Sequence, residues 1–253
     1  MQLQSLLEKF KVDLQSHEKC LQSSFWCLPV HTIQVSYKPV LKRKMDILMK
    51  MILISVQKAP FLNGLQISEI LLVEELFIQD LLSKCVNMGL ILRNENGFEI
   101  TEKGKVQLET GIYEEDQETS TLELLYSSSH MRFFTGDLEE VLEYEDFPET
   151  IYRYYESQEQ PTIPNDLVLK EIQSSNEESE EEETSDTIQI TSIDEIQFEQ
   201  INDIPCIELI IYNKSTDKFY SKVWNTLINN WDHVIEQQIT ENEGSTWKEK
   251  LLD

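Results

Sequence analysis

Basic residues are scarce in this sequence of 253 residues: Lys and Arg number 21 against 47 Asp and Glu, for a net charge of -26. Phosphate binding depends on clustered Lys and Arg, so a protein that coats DNA or an anionic membrane along its whole length is excluded. Glycine is scarce too. None of the seven glycines falls in a GxGxxG or GxxxxGK pattern, which excludes a glycine-rich loop cradling nucleotide phosphates. No Gly-x-Ser-x-Gly elbow is present either. The longest wholly apolar runs, such as Met51 to Ile54, fall far short of the ~20 residues a spanning helix needs. The opening residues, MQLQSLLEKFKVDLQ, interrupt every apolar stretch with a charge, and no secretory leader is expected from them. Cysteines at 20, 27, 85 and 206 are too few and too scattered for a disulfide scaffold, so reduced thiols are expected. These absences predict a soluble, cytoplasmic protein with no membrane partner, long enough for one large domain or two small ones.

The acidic charge is unevenly spread. Residues 1–37 are neutral, 38–112 carry +1, 113–187 carry -20 and 188–253 carry -7. The extreme is SSNEESEEEETSD, Ser174 to Asp186, which has no aromatic, aliphatic or basic residue. Such a run cannot bury enough surface to offset its ordering entropy, and its charges repel one another. It predicts a disordered linker over 166–187 and a domain boundary, serving as a solvated tether or as an acidic tail for a basic partner.

Before that boundary, residues 41–56 place Leu41, Met45, Leu48, Met49, Ile52 and Val56 at helical offsets. Ala59-Pro60 and Asn63-Gly64 then break the helix. A short apolar helix follows from Ser68. A longer one puts Leu76, Phe77, Leu81, Cys85 and Met88 on one face and ends at Gly89. The period then changes to two: Leu90 to Arg93 is a strand, Asn94 to Gly97 a turn and Phe98 to Ile100 the return strand. Thr101 caps a last helix that ends at Gly111.

The segment GLILRNENGFEITEKGKVQL, residues 89–108, resembles the winged-helix family, in which a strand, a wing and a Thr-x-x-Gly segment follow the third helix. The resemblance covers residues 38–112 and implies that the third helix, roughly Glu74 to Met88, enters a DNA major groove or docks on protein. Its solvent-facing residues would be Glu74, Glu75, Gln79, Asp80, Ser83, Lys84 and Asn87. Acids outnumber bases there, which disfavours phosphate contact. The bases gather elsewhere, at Lys38, Lys42, Arg43 and Lys44, with Arg93, Lys103 and Lys105 near the wing. A wing-led or backbone-only DNA contact therefore stays open beside docking on protein.

Residues with metal or catalytic chemistry are few. His17, Cys20, Cys27 and His31 are of the right type for tetrahedral zinc, although Cys-x6-Cys lacks the short knuckle spacing. His130 lies beside three serines, yet sequence neighbours rarely present nucleophile-and-base geometry. Glu208 to Lys214 lacks the base that a metal-nuclease strand would place at Ile210. No cofactor and no enzymatic activity are expected.

Residues 113–165 mix acids with rings, and Tyr144, Phe147, Tyr152, Tyr154 and Tyr155 read either as an extension packed on the winged helix or as a docking strip. After the linker, strands at Ile207 to Tyr212 and Phe219 to Trp224 precede a helical face from Trp224 through Leu227, Ile228, Trp231, Val234, Ile235 and Ile239. The whole predicts an α+β protein: a helix/strand extension over 1–37, a winged-helix domain over 38–112, the acidic-aromatic extension over 113–165, the linker, and a small C-terminal ββα-type module over 188–253. Its expected role is a non-enzymatic accessory or regulatory subunit docking on protein in a larger complex, one that could act on nucleic acid. A winged-helix DNA-binding transcription regulator is the alternative, and a zinc-dependent enzyme the further one.

Overall fold

A computed structural model describes residues 2–157, 160–179 and 187–251. Helix and strand occupy 37% and 38% of it, so the chain is mixed α and β with an antiparallel sheet. No helix among the described residues is long and apolar enough to cross a membrane. The elements are α1 (Leu3–Val12), β1 (Glu18–Lys44), α2 (Ile47–Lys58), α3 (Gly64–Leu71), α4 (Glu75–Asn87), β2 (Ile91–Asn94), β3 (Gly97–Ile100), α5 (Glu102–Thr110) and β4 (Ile112–Asp116). They continue as β5 (Ser120–Ser127), β6 (Arg132–Phe134), α6 (Leu138–Leu142), α7 (Asn165–Ser179), β7 (Thr187–Asn213), β8 (Lys218–Asn225), β9 (Asn230–Trp231), α8 (His233–Glu243) and α9 (Trp247–Leu251). The larger sheet runs β6-β5-β1-β7-β8-β9 with β4 also on β1, while β2 and β3 form a separate hairpin.

The chain divides into two units. One comprises Met1–Val35, Leu122–Leu167 and Ile196–Asp253, the other Ser36–Thr121 and Val168–Glu195. In the first unit, β7 is buried on both faces. Ile204, Cys206 and Ile210 enter one cluster with Trp26, Tyr152, Ile235 and Trp247. Ile207, Leu209 and Ile211 enter another with Leu3 and Leu7. The strand's period of two divides this apolar run between two cores. In the second unit, α2 to α5 and the β2–β3 hairpin close over Met49, Ile52, Leu53, Ile67, Ile78, Leu82, Cys85 and Ile91.

Local capping explains where three helices of the second unit, α2, α3 and α5, begin. The Asp46 carboxylate accepts from Met49 N–H at 2.7 Å, Asn63 from Gln66 N–H at 3.2 Å and Thr101 Oγ1 from Gly104 N–H at 2.9 Å. Helix, short helix, longer helix, hairpin and helix follow one another in the order expected.

The boundaries differ in four places. The helix expected from Leu41 starts at Ile47, because Val40 to Lys44 pair as strand with Ile112 to Asp116. β1 runs through the expected boundary at residue 37, and the division between the two units falls close by, between Val35 and Ser36. Of the expected linker, residues 166–179 belong to α7, where Val168 and Ile172, four apart, are buried. Residues 180–186 lie outside the described residues. The expected C-terminal module is part of the larger sheet rather than a separate body. Its helix begins only at His233, because Trp224 pairs as strand with Ile207 and with Trp231.

Candidate functional site

The outer face of α4 was expected to be polar and its inner face to include Leu76 and Phe77. The structure reverses the second expectation. Ile78, Leu81, Leu82 and Cys85 form the buried stripe, and Leu76 and Phe77 point to solvent. Around the α3–α4 turn, Ile70, Leu72, Leu76 and Phe77 are 61%, 90%, 71% and 54% exposed. Leu72 holds a left-handed backbone conformation, with φ +56°, as it ends α3. No Lys or Arg occurs between Lys58 and Lys84, whereas Glu69, Glu74, Glu75 and Asp80 do. Glu74, Gln79, Asp80, Ser83 and Asn87 are exposed as expected; Glu75, which hydrogen-bonds Gln79 at 2.7 Å, and Lys84 are half-buried. Exposed apolar side chains and acids thus alternate along this stretch, with no base among them.

The expected basic residues of this unit are largely engaged with acids. Lys42 lies 3.4 Å from Glu114, Arg43 3.4 Å from Glu115, Lys105 2.6 Å from Glu102 and Lys38 3.8 Å from Asp194. Lys84 sits over the Tyr113 ring and Arg93 over Phe98. Lys44 and Lys103 are exposed. Ion pairs already formed reduce the positive potential that phosphate contact requires.

The aromatic strip over 113–165 is not a surface strip. Tyr144 is buried beside Leu3 and Leu7, and Tyr152 is buried beside Trp26, with Tyr154 and Tyr155 packed against the same cluster. Their core is that of the first unit, not of the helical block expected to receive them. Phe147 alone of the five is well exposed.

His17, Cys20, Cys27 and His31 do not converge. Three of them lie along one extended strand, so Cys20 and Cys27 stand roughly 23 Å apart and Cys27 and His31 roughly 13 Å. Among the described residues no group of three or more His, Cys, Asp or Glu is placed to hold a metal ion. Burial pushes the Cys27 thiol up to about 12.

Two polar clusters went unrecognised in the sequence. Ser127 Oγ lies 2.8 Å from His130 Nδ1, and His130 Nε2 lies 2.9 Å from Asp232 Oδ1. The serine was legible beside the histidine, but the carboxylate is 102 residues away in sequence. Its pKa reflects opposing effects: burial raises it, while the hydrogen bond and charge of His130 and the Asn225 amide outweigh burial and lower it. Ser127 is completely buried and offers no surface to a substrate, so the relay holds the fold rather than presenting a nucleophile. In the second cluster, Arg153 grips the buried Glu208 carboxylate with two hydrogen bonds of 2.8 and 2.9 Å. Trp26 Nε1 donates to the same carboxylate at 2.6 Å, and Arg153 also pairs with Glu243. Glu208 is therefore fully engaged. Comparison with protein-family models, with characterised proteins and with solved structures finds no match to this chain.

Proposed function

We propose that this chain is a non-enzymatic accessory or regulatory subunit, working in the cytoplasm, in which a winged-helix domain over residues 38–112 docks on a protein partner. One observation carries this reading: the exposed Ile70, Leu72, Leu76 and Phe77 within a stretch of acids that holds no base. Large apolar side chains left exposed close together in the sequence, among acids, suit a protein interface. The same surface repels phosphate, and the nearby bases are paired with carboxylates. A partner of matching chemistry presents apolar side chains bordered by Lys and Arg.

Tagged wild-type chain and a Leu76→Asp, Phe77→Asp variant, purified in parallel from the native host, test the reading. A partner retained by the wild type and lost from the variant supports it. The competing reading is a winged-helix regulator that reads DNA, using Lys44, Arg93 and Lys103. Changing Glu74 and Glu75 to Lys separates the two. It weakens the partner complex under docking, and it strengthens salt-sensitive DNA binding in gel-shift titrations under direct reading. DNA binding by the wild type with a steep salt slope would overturn the docking proposal.

A further inference from the structure

The first unit contains a cavity of about 370 Å³ between α1, β7, β8 and β9, within the size range of small-molecule sites. Its lining is apolar at Leu14, and beneath it lie Leu209 and Ile211 of β7, both within the buried cluster. Aromatic rings form its walls. Phe10 of α1 lies 4.8 Å, between ring centroids, from Trp231, and Tyr220 of β8 completes the lining.

The polar groups at this cavity carry opposite charges. Asp13, at the C-terminal end of α1, and Glu18, at the start of β1, both line it. Glu18 is held in place, accepting from Tyr220 O–H at 2.6 Å and from Gln15 N–H at 3.1 Å. Lys222 lines it too, its ammonium 5.4 Å from the Trp231 ring centroid and 3.4 Å from Glu236. The Tyr220 hydrogen bond lowers the Glu18 pKa, and the Lys222 charge adds to that effect. The two charges thus sense each other, yet among the described residues no ion pair within 4.0 Å joins them. The cavity therefore has carboxylates and an ammonium at its edge, and an aromatic-aliphatic interior.

We infer that this cavity binds a free apolar α-amino acid as its zwitterion. The ligand's ammonium meets Asp13 and Glu18, its carboxylate meets Lys222, and its side chain rests on Phe10, Leu14 and Trp231. A purely anionic ligand would face two carboxylates, and a purely cationic one would face Lys222. A plain hydrocarbon would leave the charged edge unused. This inference is independent of the docking proposal, which concerns the other unit.

The full-length chain is titrated with L-leucine and L-phenylalanine by calorimetry, with tryptophan emission as a second reading because Trp231 forms a wall. Saturable binding is expected. L-leucinamide, which lacks the carboxylate, and 4-methylpentanoate, which lacks the ammonium, each lose one charged contact and should bind about tenfold more weakly or worse. Lys222→Gln should weaken leucine binding to a similar degree. So should Asp13→Asn, a surface change whose melting curve is expected to match the wild type. Equal binding of leucine and both analogues would overturn the zwitterion assignment. Absence of saturable binding by both amino acids up to about 20 mM, far weaker than the micromolar-to-millimolar range of specific small ligands, would overturn the site itself.

Discussion

The His130 imidazole lies 2.9 Å from the Asp232 carboxylate, and neither side chain has any exposure to solvent. This contact ties the β5–β6 hairpin to the first turn of α8, where Asp232 also caps Ile235 N–H at 3.3 Å. Asn225 donates to the same carboxylate at 3.0 Å.

Removing the charge of Asp232 leaves a buried imidazole without its counterpart. Asp232→Asn weakens the buried hydrogen bonds to the carboxylate and is expected to cost about 1–3 kcal/mol at neutral pH, measured by urea denaturation. The pH dependence should change as well. The folded carboxyl titrates below its ordinary value of 3.8. A depressed carboxyl adds stability at pH values above the unfolded pKa, and that stability is lost as pH falls through the folded pKa. The wild type should therefore lose stability more steeply than Asp232→Asn as the pH drops below about 4. Parallel curves would show that Asp232 does not titrate differently on folding.

Leu72 combines a left-handed backbone with almost complete exposure. A leucine in that conformation is strained by about 1 kcal/mol, and its side chain contributes nothing to a core. Leu72→Gly should raise the urea midpoint by an amount equivalent to about 0.5–1 kcal/mol. If docking is the function, the same change weakens the partner complex, so stability and binding should move in opposite directions.

Two glycines near the hairpin should respond differently to alanine. A Cβ at Gly104 would lie 2.2 Å from the Leu90 carbonyl oxygen, whereas a Cβ at Gly89 meets nothing within 4 Å. Gly104→Ala must push backbone apart and should cost at least about 1–3 kcal/mol. Gly89→Ala has only its positive φ of +70° to accommodate, a cost of about 1 kcal/mol. Thermal denaturation of the two variants gives the comparison directly.

The thiols should react in a fixed order. Cys20 is partly exposed, while Cys27, Cys85 and Cys206 are buried. Burial holds Cys27 up to about 12 and Cys85 up to about 11, and it raises Cys206 strongly as well. With a chromogenic disulfide reagent near pH 8, Cys20 should be modified first and slowly, its own thiol also being raised by burial. The other three should react only on unfolding, and rapid release of more than one equivalent from the native chain would contradict this.

The sequence by itself determined those features that depend on neighbours a few residues apart. Thr101 as a cap, Gly89 and Gly111 as left-handed helix ends, and the Asn94 to Gly97 turn all stand where local patterns put them, because caps and turns are closed by hydrogen bonds within a few residues. That no helix among the described residues is long and apolar enough to cross a membrane was equally legible, since it follows from composition along the chain. Partners distant in sequence decided the rest. Leu41 to Lys44 carry a helical pattern but become strand because β4 offers a ladder to join. Leu76 fits a buried helical stripe, yet Ile78 and Leu82 occupy the interior and turn it outward. Tyr144 and Tyr152 look like surface anchors among acids, and they are buried because two faces of β7 need covering. Ser127, His130 and Asp232 become one relay only when β5 and α8 are brought together. Side-chain burial and polar pairing across such separations depend on which surfaces meet, and local propensity carries no record of that.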